Sequence, residues 1–444
     1  MKRVARIGVA AVLAGSLLVA GGIGLFRSGG DGANAQTPAS ASRADALLAP
    51  VVSGSLEQII ESLQTRLRQL PTDWRSFASL GLAYVQQARV TADPSYYPKA
   101  EGVLRRSLER ERQDNFAAMV GMAALAAARH DFSGALRWGE RAREINPYNG
   151  NVYGVIGDAQ VELGRYHDAF ATFQTMVDTL PGVASYARVS YARELGGDIP
   201  GAVRAMVAAR DIAGTPADVA WASYQLGELA FNSGDVRKAA SYYRRATELD
   251  ATYIPPQAGL AKVEWARGDM GKAIRGYETV TQLYPLPEYV IALGDLYEVT
   301  GRSQLAAQQG DLVRAEERLF QANGVNVDLE IALYNADHGN PSVALKAARD
   351  EWARRHSIHV ADALAWALYA SGDYREAQTY SKRALKLGTR NALFFYHAGM
   401  IQLKLGNPSE ARTLLQTAID INPNFSILHE ADAQRTLKQL EGHA

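Results

Sequence analysis

The chain contains no cysteine, and this absence removes several kinds of site from consideration. Without thiols there can be no disulfide, no thiolate-bound metal and no cysteine nucleophile. An excess of charge is missing too, because 47 Lys and Arg residues are matched by 47 Asp and Glu residues among 444. Binding to a phosphate backbone requires a positive surface, so nucleic acid is not expected as a partner.

Motifs of catalysis and cofactor binding are missing as well. The sequence has no Gly-x-Ser-x-Gly, no His-Glu-x-x-His and no paired glycines that open a nucleotide-binding fold. The phrase GDMGKA at residues 268–273 lacks the first glycine of a phosphate loop and the Ser or Thr after its lysine. His356 and His359 form the only close histidine pair, and a third metal ligand is not evident. No enzyme activity, cofactor or metal is therefore expected.

The N-terminus has the pattern of an export signal. Lys2, Arg3 and Arg6 precede an apolar run at residues 7–26, and the triplet at residues 33–35 has the small-residue spacing that signal peptidase accepts. At ~1.5 Å per residue the run reaches roughly 30 Å, which is enough to span a bilayer. Two alternatives stay open: cleavage after the triplet, or a retained membrane anchor.

Both alternatives give the same location for the rest of the chain. The positive residues stay on the cytoplasmic side, so everything after Arg27 is expected outside the cell or in its envelope. We therefore assign residues 1–35 to a signal peptide or signal anchor. Residues 36–54 are rich in Ala, Ser, Pro and Gly and are assigned to a flexible linker.

A phrase built from a glycine turn, a polar step and an alanine recurs along the chain, as in NSGDVRKAA at residues 232–240. The alanines of these phrases are Ala100, Ala135, Ala169, Ala202, Ala239, Ala273, Ala306, Ala344, Ala377 and Ala411. From Ala135 onward they lie 33 to 38 residues apart, with a period of 34. Twelve residues earlier nine units have a small residue: Ala123, Gly157, Ser190, Gly227, Ala261, Gly294, Ala332, Ala365 and Gly399. In the first unit the small residue is Gly81, displaced by an insertion at residues 91–98.

Each unit has the pattern of two helices joined by a glycine turn. One apolar-periodic run carries the small residue, and the next carries the alanine. Glycine at the turn supplies the positive φ that ends a helix without a Cβ clash. The turn glycines are Gly164, Gly234, Gly268, Gly301, Gly339, Gly372 and Gly406. Pro147, Pro181, Pro285 and Pro423 are predicted to stop second helices.

These features resemble the tetratricopeptide repeat family, whose pattern has a Leu-Gly pair in the first helix, an alanine opening the second, a following aromatic and a closing proline. Residues 150–181 match with Tyr153, Ile156-Gly157, Ala169, Phe173 and Pro181. Residues 220–251 match with Leu226-Gly227, Ala239, Tyr243 and Ala246. The resemblance covers residues 74–423 and implies an all-α, right-handed α-solenoid of about ten helical hairpins. Four units depart from it, at Gly139, Gly310, Ala348 and Ser381, where a large residue is expected.

Capping helices are predicted at both ends of the solenoid. Residues 55–73 are read as an N-terminal cap, and residues 424–444 as a C-terminal capping helix and tail, because solenoid ends must cover their apolar faces. Inside such a solenoid each unit touches only its neighbours. Damage from a substitution such as Ala239→Arg is therefore expected to stay within residues 220–284.

By resemblance to the family, the first helix of each unit lines a concave groove. The groove positions are Tyr191, Trp221, Tyr224, Glu228, Phe231, Lys262, Trp265, Asp295, Glu298, Asp362, Trp366, Tyr369, Tyr396 and Met400. This set is aromatic and acidic, which favours a segment that pairs an apolar anchor with Lys or Arg. Packing between neighbouring helices is the alternative role for each of these side chains.

Three functions are compatible with these features. The first is an exported, non-enzymatic scaffold that binds a peptide or protein segment in the groove. The second is a cell-envelope assembly factor or structural organiser, anchored in the membrane through residues 7–26. The third is an enzyme or small-molecule binder with a site on the solenoid, and it is the weakest because no polar constellation converges.

Overall fold

The computed structural model describes residues 55–441, and in this part of the chain every regular element is an α-helix. The signal or anchor predicted at residues 1–35 and the linker predicted at residues 36–54 lie outside the described residues. The helices are α1 Leu56–Gln69, α2 Trp74–Thr91, α3 Tyr96–Arg110, α4 Phe116–Ala128, α5 Phe132–Ile145, α6 Gly150–Glu162, α7 Tyr166–Thr179, α8 Val183–Leu195, α9 Ile199–Asp211, α10 Pro216–Asn232, α11 Val236–Leu249, α12 Pro255–Ala266, α13 Met270–Leu283, α14 Pro287–Val299, α15 Ser303–Ala322, α16 Asp328–Asp337, α17 Pro341–Arg354, α18 Ile358–Ala370, α19 Tyr374–Ala384, α20 Ala392–Lys404, α21 Pro408–Ile421 and α22 Glu430–Glu441.

These helices pair in order into hairpins, from α2 with α3 to α20 with α21, and each hairpin packs on the next. The all-α repeat solenoid predicted from the sequence is confirmed. Helices α1 and α22 lie at the two ends, where the capping segments are predicted. Each of the four predicted prolines follows the end of a second helix within two residues.

The recurrent Gly-Asp phrase caps two helices at once. All seven predicted turn glycines have φ between 73° and 85°, so each ends the first helix of its unit in the left-handed conformation. In the phrases where Asp follows the glycine, its carboxylate caps the second helix: Asp235 accepts a hydrogen bond of 2.9 Å from the backbone N–H of Lys238. Asp373 does the same for Glu376, at 3.1 Å. Where the phrase has Asp after the glycine, one short turn therefore supplies both caps.

The small residue of the first helix makes room for the large residue that follows the alanine. A Cβ added to Gly157 would lie 2.3 Å from Phe173, and one added to Gly227 would lie 2.4 Å from Tyr243. Of the ten alanines that mark the units, nine have no exposed surface, and Ala306 is the exception. The sequence spacing therefore reports a close approach of the two helices within each hairpin.

The hairpin of α14 and α15 is irregular. It carries both Ala306 and Gly310, the position where the sequence lacks a large residue, and α15 runs for 20 residues. α15 and α16 lack the extensive packing that every other pair of consecutive helices has. A cavity of about 270 Å³ lies between α14, α15 and α16. The hydroxyl of Tyr334 on α16 lies next to Gly310 and fills part of the space that a large side chain there would occupy.

The solenoid winds so tightly that its second turn touches its first. The phenol of Tyr284 donates a hydrogen bond of 3.0 Å to the carbonyl of Arg89, 195 residues away. The backbone N–H of His356 donates one of 3.1 Å to the carbonyl of Glu162. At a period of 34 residues these partners lie between five and six units apart. The same series, here called the seam, joins Arg129 to Asn326, Gly197 to Gly388 and Gly234 to Ile421.

The seam corrects the expectation that each unit touches only its neighbours. Helices α2–α13 make the first turn, and helices α14–α21 make the second. Apolar side chains are shared between the turns: Tyr166 packs in one cluster with Ile358, and its phenol accepts a hydrogen bond of 2.7 Å from the backbone N–H of Ile358. Damage from Ala239→Arg would therefore reach the second turn, because Gly234 rests against Ile421.

Candidate functional site

The predicted groove residues divide into buried and partly accessible side chains. Exposure was expected, and it is wrong for six of them, which are 2% to 6% exposed: Trp221, Phe231, Trp265, Asp362, Trp366 and Tyr396. Neighbouring first helices approach so closely that these side chains fill the space between them. Tyr191, Tyr224, Glu228, Lys262, Asp295, Tyr369 and Met400 are partly buried, and Glu298 is exposed. Their role in binding a partner stays a prediction.

The predicted residues do not form one continuous surface. Tyr224, Glu228, Phe231, Lys262 and Trp265 come together on α10 and α12. Further along, Asp295 and Glu298 of α14 face His338, and Asp362, Trp366, Tyr369 and Tyr396 lie near the C-terminal end. Tyr191 and Trp221 pack together in another apolar cluster. The predicted residues therefore fall into four separate groups.

The C-terminal group is a structural network. The indole N–H of Trp366 donates a hydrogen bond of 2.6 Å to Asp337, and His429 lies 2.9 Å from the same carboxylate oxygen. Burial acts to raise the pKa of Asp337, but the hydrogen bonds from His429 and Trp366 lower it overall. Trp366 also stacks on His397 at 4.1 Å between ring centroids. Because His429 immediately precedes α22, this network fastens the C-terminal helix to the solenoid.

The first group has an ion pair at its centre. Lys262 Nζ lies 2.8 Å and 3.0 Å from the two carboxylate oxygens of Glu228. The Tyr243 phenol donates a hydrogen bond of 2.6 Å to Glu228. The same ammonium lies 4.5 Å from the centre of the Phe231 ring and 5.9 Å from that of Tyr243. The chain's own lysine thus occupies the place predicted for a basic side chain of the partner.

Repeat geometry brings this pair together. Glu228 and Lys262 are 34 residues apart and occupy the same position in successive units. Equivalent positions on stacked first helices face each other across the hairpin boundary. Tyr224 and Tyr253 add a wall beside them, with their rings edge to face at 5.8 Å. Such aromatic faces offer contact area and attract cations.

Two further carboxylates, which the sequence reading missed, complete this surface. Burial raises the pKa of Glu194 to about 7, and the negative charge of Glu228 adds to the effect. Burial likewise raises the pKa of Glu288 to about 7; Glu228 adds to the shift, and Lys262 opposes it. We call Glu194, Tyr224, Glu228, Tyr253, Lys262 and Glu288 the inner patch. It has three carboxylates and one ammonium group.

Three residues of the inner patch were not predicted from the sequence: Glu194, Tyr253 and Glu288. Tyr253 lies between α11 and α12, outside the first helices that were searched. Glu194 and Glu288 are on first helices, at the unit positions that Phe231 and Trp221 occupy in the predicted groove. Applying the groove positions to every unit could therefore have found both carboxylates.

The rest of the interior is closed by its own ion pairs. Arg188 holds Asp158 through two hydrogen bonds of 2.9 Å and 2.6 Å, with 3% and 9% of these side chains exposed. Within residues 55–441, no group of His, Asp or Glu side chains is suited to hold a metal ion. His356, one of the two histidines considered for metal binding, lies in the seam instead. Across the same residues, none of the helices has both the length and the apolarity to cross a bilayer.

Family comparisons agree with this architecture. Models of the tetratricopeptide repeat match residues 222–253 and residues 363–424. The chain contains tetratricopeptide repeats (TPRs). The matched segments cover the hairpin of α10 with α11 and the last two hairpins of the solenoid. TPR hairpins are protein-interaction modules, which supports a role as a protein-interaction scaffold.

Among curated proteins, this TPR protein is similar to Cellulose synthase 1 operon protein C of Komagataeibacter xylinus, with 26% identity over 264 residues. The alignment covers 57% of this chain but 17% of that relative, so the chain spans only a small part of its length. Similar solved structures include the human IFIT1 dimer with PPP-AAAA, at 14% identity, a TM-score of 0.45 and coverage of 75% of this chain and 78% of that one. The Cut9–Hcn1 hetero-tetramer of APC/C has 17% identity, a TM-score of 0.37 and coverage of 82% and 64%. Because neither TM-score reaches 0.5, nothing about this chain's partners follows from them.

Proposed function

We propose that this TPR protein is an exported, non-enzymatic scaffold that holds a segment of a partner protein against the inner patch. The segment carries Lys or Arg next to an apolar or aromatic anchor. The anchor packs on the tyrosine rings, and the cation pairs with the carboxylates.

One observation carries this proposal: the inner patch has more carboxylate groups than cationic groups. The charge of Glu228 helps to raise the pKa values of Glu194 and Glu288, and Lys262 is the one cation among the patch residues. Its side chain is 24% exposed, so the patch is reachable. A partner's cation would reduce the repulsion between the carboxylates, and this gain makes a basic segment the preferred ligand.

A peptide array tests the proposal on the full chain. Synthetic segments that pair an aromatic residue with Lys or Arg are compared with the same segments carrying Glu instead. We expect the basic segments to bind more tightly by about tenfold or more and to lose affinity as salt is raised. The control is the double variant Glu109→Gln, Glu144→Gln, which neutralises two exposed carboxylates on α3 and α5 and should bind normally. Equal binding of basic and acidic segments would refute the proposal.

Export is supported by the basic N-terminus, the apolar run at residues 7–26 and the cleavage triplet at residues 33–35. N-terminal sequencing of the protein from fractionated cells tests it. A mature chain that begins at Gln36 supports cleavage, whereas Met1 or Lys2 in the membrane fraction supports the anchor. An intact chain confined to the cytoplasm would show that export is wrong.

A second candidate is a structural organiser of the cell envelope, held in the membrane through residues 7–26. The similarity to a protein named for a cellulose synthase operon favours this candidate. Here the solenoid joins components of an assembly that produces a polysaccharide. A retained anchor, together with co-purification of an intact envelope complex that the inner-patch variants leave unchanged, would favour it over the first proposal.

A further inference from the structure

The ammonium group of Lys262 is held by Glu228 in the way that a bound ligand would be held. The ammonium group is held by both oxygens of one carboxylate, at 2.8 Å and 3.0 Å, and lies against the faces of Phe231 and Tyr243. A carboxylate beside two aromatic faces is a general arrangement for recognising a primary ammonium. We call Glu228, Phe231 and Tyr243 the cation niche.

The niche is built by residues that do not depend on Lys262 for their positions. Phe231 is 3% exposed and contacts Trp265, with ring centroids 6.4 Å apart. Tyr243 has no exposed surface, because it fills the space above Gly227, and its phenol fixes one oxygen of Glu228. The two rings are thus held by the packing of the hairpin. Removing the lysine would leave a preformed niche.

A second carboxylate, that of Glu288, is also near Lys262. Glu288, on the next first helix, is near enough to Lys262 for the ammonium to lower its pKa. Burial, together with the charge of Glu228, opposes ionisation of Glu288, so a closer cation would stabilise its charged form. A lysine that leaves Glu228 therefore exchanges one carboxylate for another within the same patch.

We propose that the niche is a binding site for a primary ammonium group, that Lys262 is its internal occupant, and that a partner's lysine binds by displacing Lys262. With two ammonium groups and three carboxylates the patch comes closer to neutrality than it is without the partner. Lys262 then sets affinity and specificity, because weakly cationic segments cannot displace it. This inference rests on the proposed function for the identity of the ligand, but the niche itself does not.

Chemical rescue tests the niche without any partner. Lys262→Ala removes a three-carbon ammonium chain, so propylammonium is the matched probe. We expect it to raise the melting temperature of this variant by about 2 °C and to leave the unsubstituted chain unaffected. Propanol, which lacks the charge, and propionate, which reverses it, should have no effect. The control variant is Lys272→Ala, which loses an exposed ion pair of 2.8 Å with Asp269 and should not respond to propylammonium.

Lys262→Met tests displacement, since methionine keeps the apolar stem and removes the charge. We expect a lysine-containing segment that binds the unsubstituted chain to bind Lys262→Met about fivefold to tenfold more tightly. Weaker binding, or rescue by propanol as effective as rescue by propylammonium, would overturn the inference. If propylammonium rescues Lys262→Ala but no basic segment binds the unsubstituted chain, the niche stands and the proposed function is wrong. If segments bind but neither variant behaves as expected, the proposed function stands and the niche is wrong.

Discussion

Glu162 and Arg355 lie 193 residues apart in the chain and are joined by a buried ion pair of 2.9 Å. Glu162 ends α6 in the first turn, and Arg355 lies between α17 and α18 in the second. Glu351 of α17 holds the other side of the guanidinium. The three side chains are 2% to 7% exposed, so this part of the seam is shielded from water. The seam therefore couples the stability of the first turn of the solenoid to that of the second.

Arg355→Met should weaken the contact between the turns. It leaves Glu162 buried without its cation, which costs about 3 to 5 kcal/mol when one partner of a buried pair is removed. Glu351 keeps its second ion pair, with Arg354 at 2.5 Å. We expect faster hydrogen exchange at the backbone N–H groups of Asn326 and His356, which bond across the seam. Arg188→Met is the control, because it breaks a buried pair inside the first turn. The same exchange pattern in both variants would contradict the coupling of the turns.

Gly227→Ala should destabilise the protein although alanine is the better helix former. The added Cβ would lie 2.4 Å from the Tyr243 ring, which is fully buried and cannot withdraw. We expect a loss of about 1 to 3 kcal/mol in the free energy of unfolding, measured by urea denaturation. Gly102→Ala is the matched control, since nothing lies within 4 Å of its added Cβ, and it should gain about 0.5 to 1 kcal/mol. Equal effects of the two substitutions would refute this packing account.

Trp221→Ala combined with Trp265→Ala should unfold part of the solenoid. The sequence analysis placed both indoles in the binding groove, with packing as the alternative role, and they are 3% and 6% exposed. Truncating a buried tryptophan costs about 3 to 5 kcal/mol. We expect a lower melting temperature and a reduced helical circular dichroism signal, as unfolding of α10–α13 would cause. An unchanged melting temperature would show that the two indoles are not needed for packing, as expected for residues that bind a partner.

Stability should fall as the pH rises from 6.5 to 9. Burial raises the pKa of Glu316 to about 9 and that of Glu330 to about 8. Burial opposes protonation of His338, but its hydrogen bond to Asp295 raises its pKa to about 9. The unfolded chain releases these protons near pH 4.5 and 6.5, so the native state holds more protons throughout this window. For each extra proton that the native state holds, the free energy of unfolding falls by about 1.4 kcal/mol per pH unit.

Urea denaturation at pH 6.5, 7.5 and 8.5 measures this slope. The double variant Glu316→Gln, Glu330→Gln removes two of the groups and should show a flatter dependence. His130 and His359 act in the opposite direction at the low end of this range, because burial lowers their pKa values to about 3 and about 4 while the unfolded chain still binds protons there near pH 6.5. Their contribution fades as the pH rises above about 7.5. Stability that is constant or rising over the window would disagree with the placement of these buried groups.

The hairpin architecture could be predicted from the sequence because its determinants are local. A glycine with positive φ, an Asp that caps the next helix and the spacing from Gly227 to Tyr243 all act within one unit. The irregular hairpin also had a local signal, the small residue at Gly310. Position in a unit therefore predicts how the two helices of that unit pack.

The seam and the inner patch could not be predicted in the same way. Contact between Arg89 and Tyr284 depends on the summed rotation of several units, and a small change in each would separate the turns. Burial of Trp221 depends on how closely neighbouring first helices approach, which the family pattern does not specify. The partnership of Lys262 with Glu228 appears only when two units are stacked, although both residues were identified separately.

The central claim, that excess carboxylate charge in the inner patch binds a basic segment, is tested most directly by the double variant Glu194→Gln, Glu288→Gln. Both carboxyl groups have a pKa of about 7 and are mostly ionised at pH 8. Calorimetric titration at pH 8 with a lysine-containing segment that binds the unsubstituted chain should show affinity reduced about tenfold. The melting temperature should stay equal or rise, because repulsion with Glu228 is removed. Unchanged affinity, or a lower melting temperature that accounts for the loss of binding, would contradict the claim.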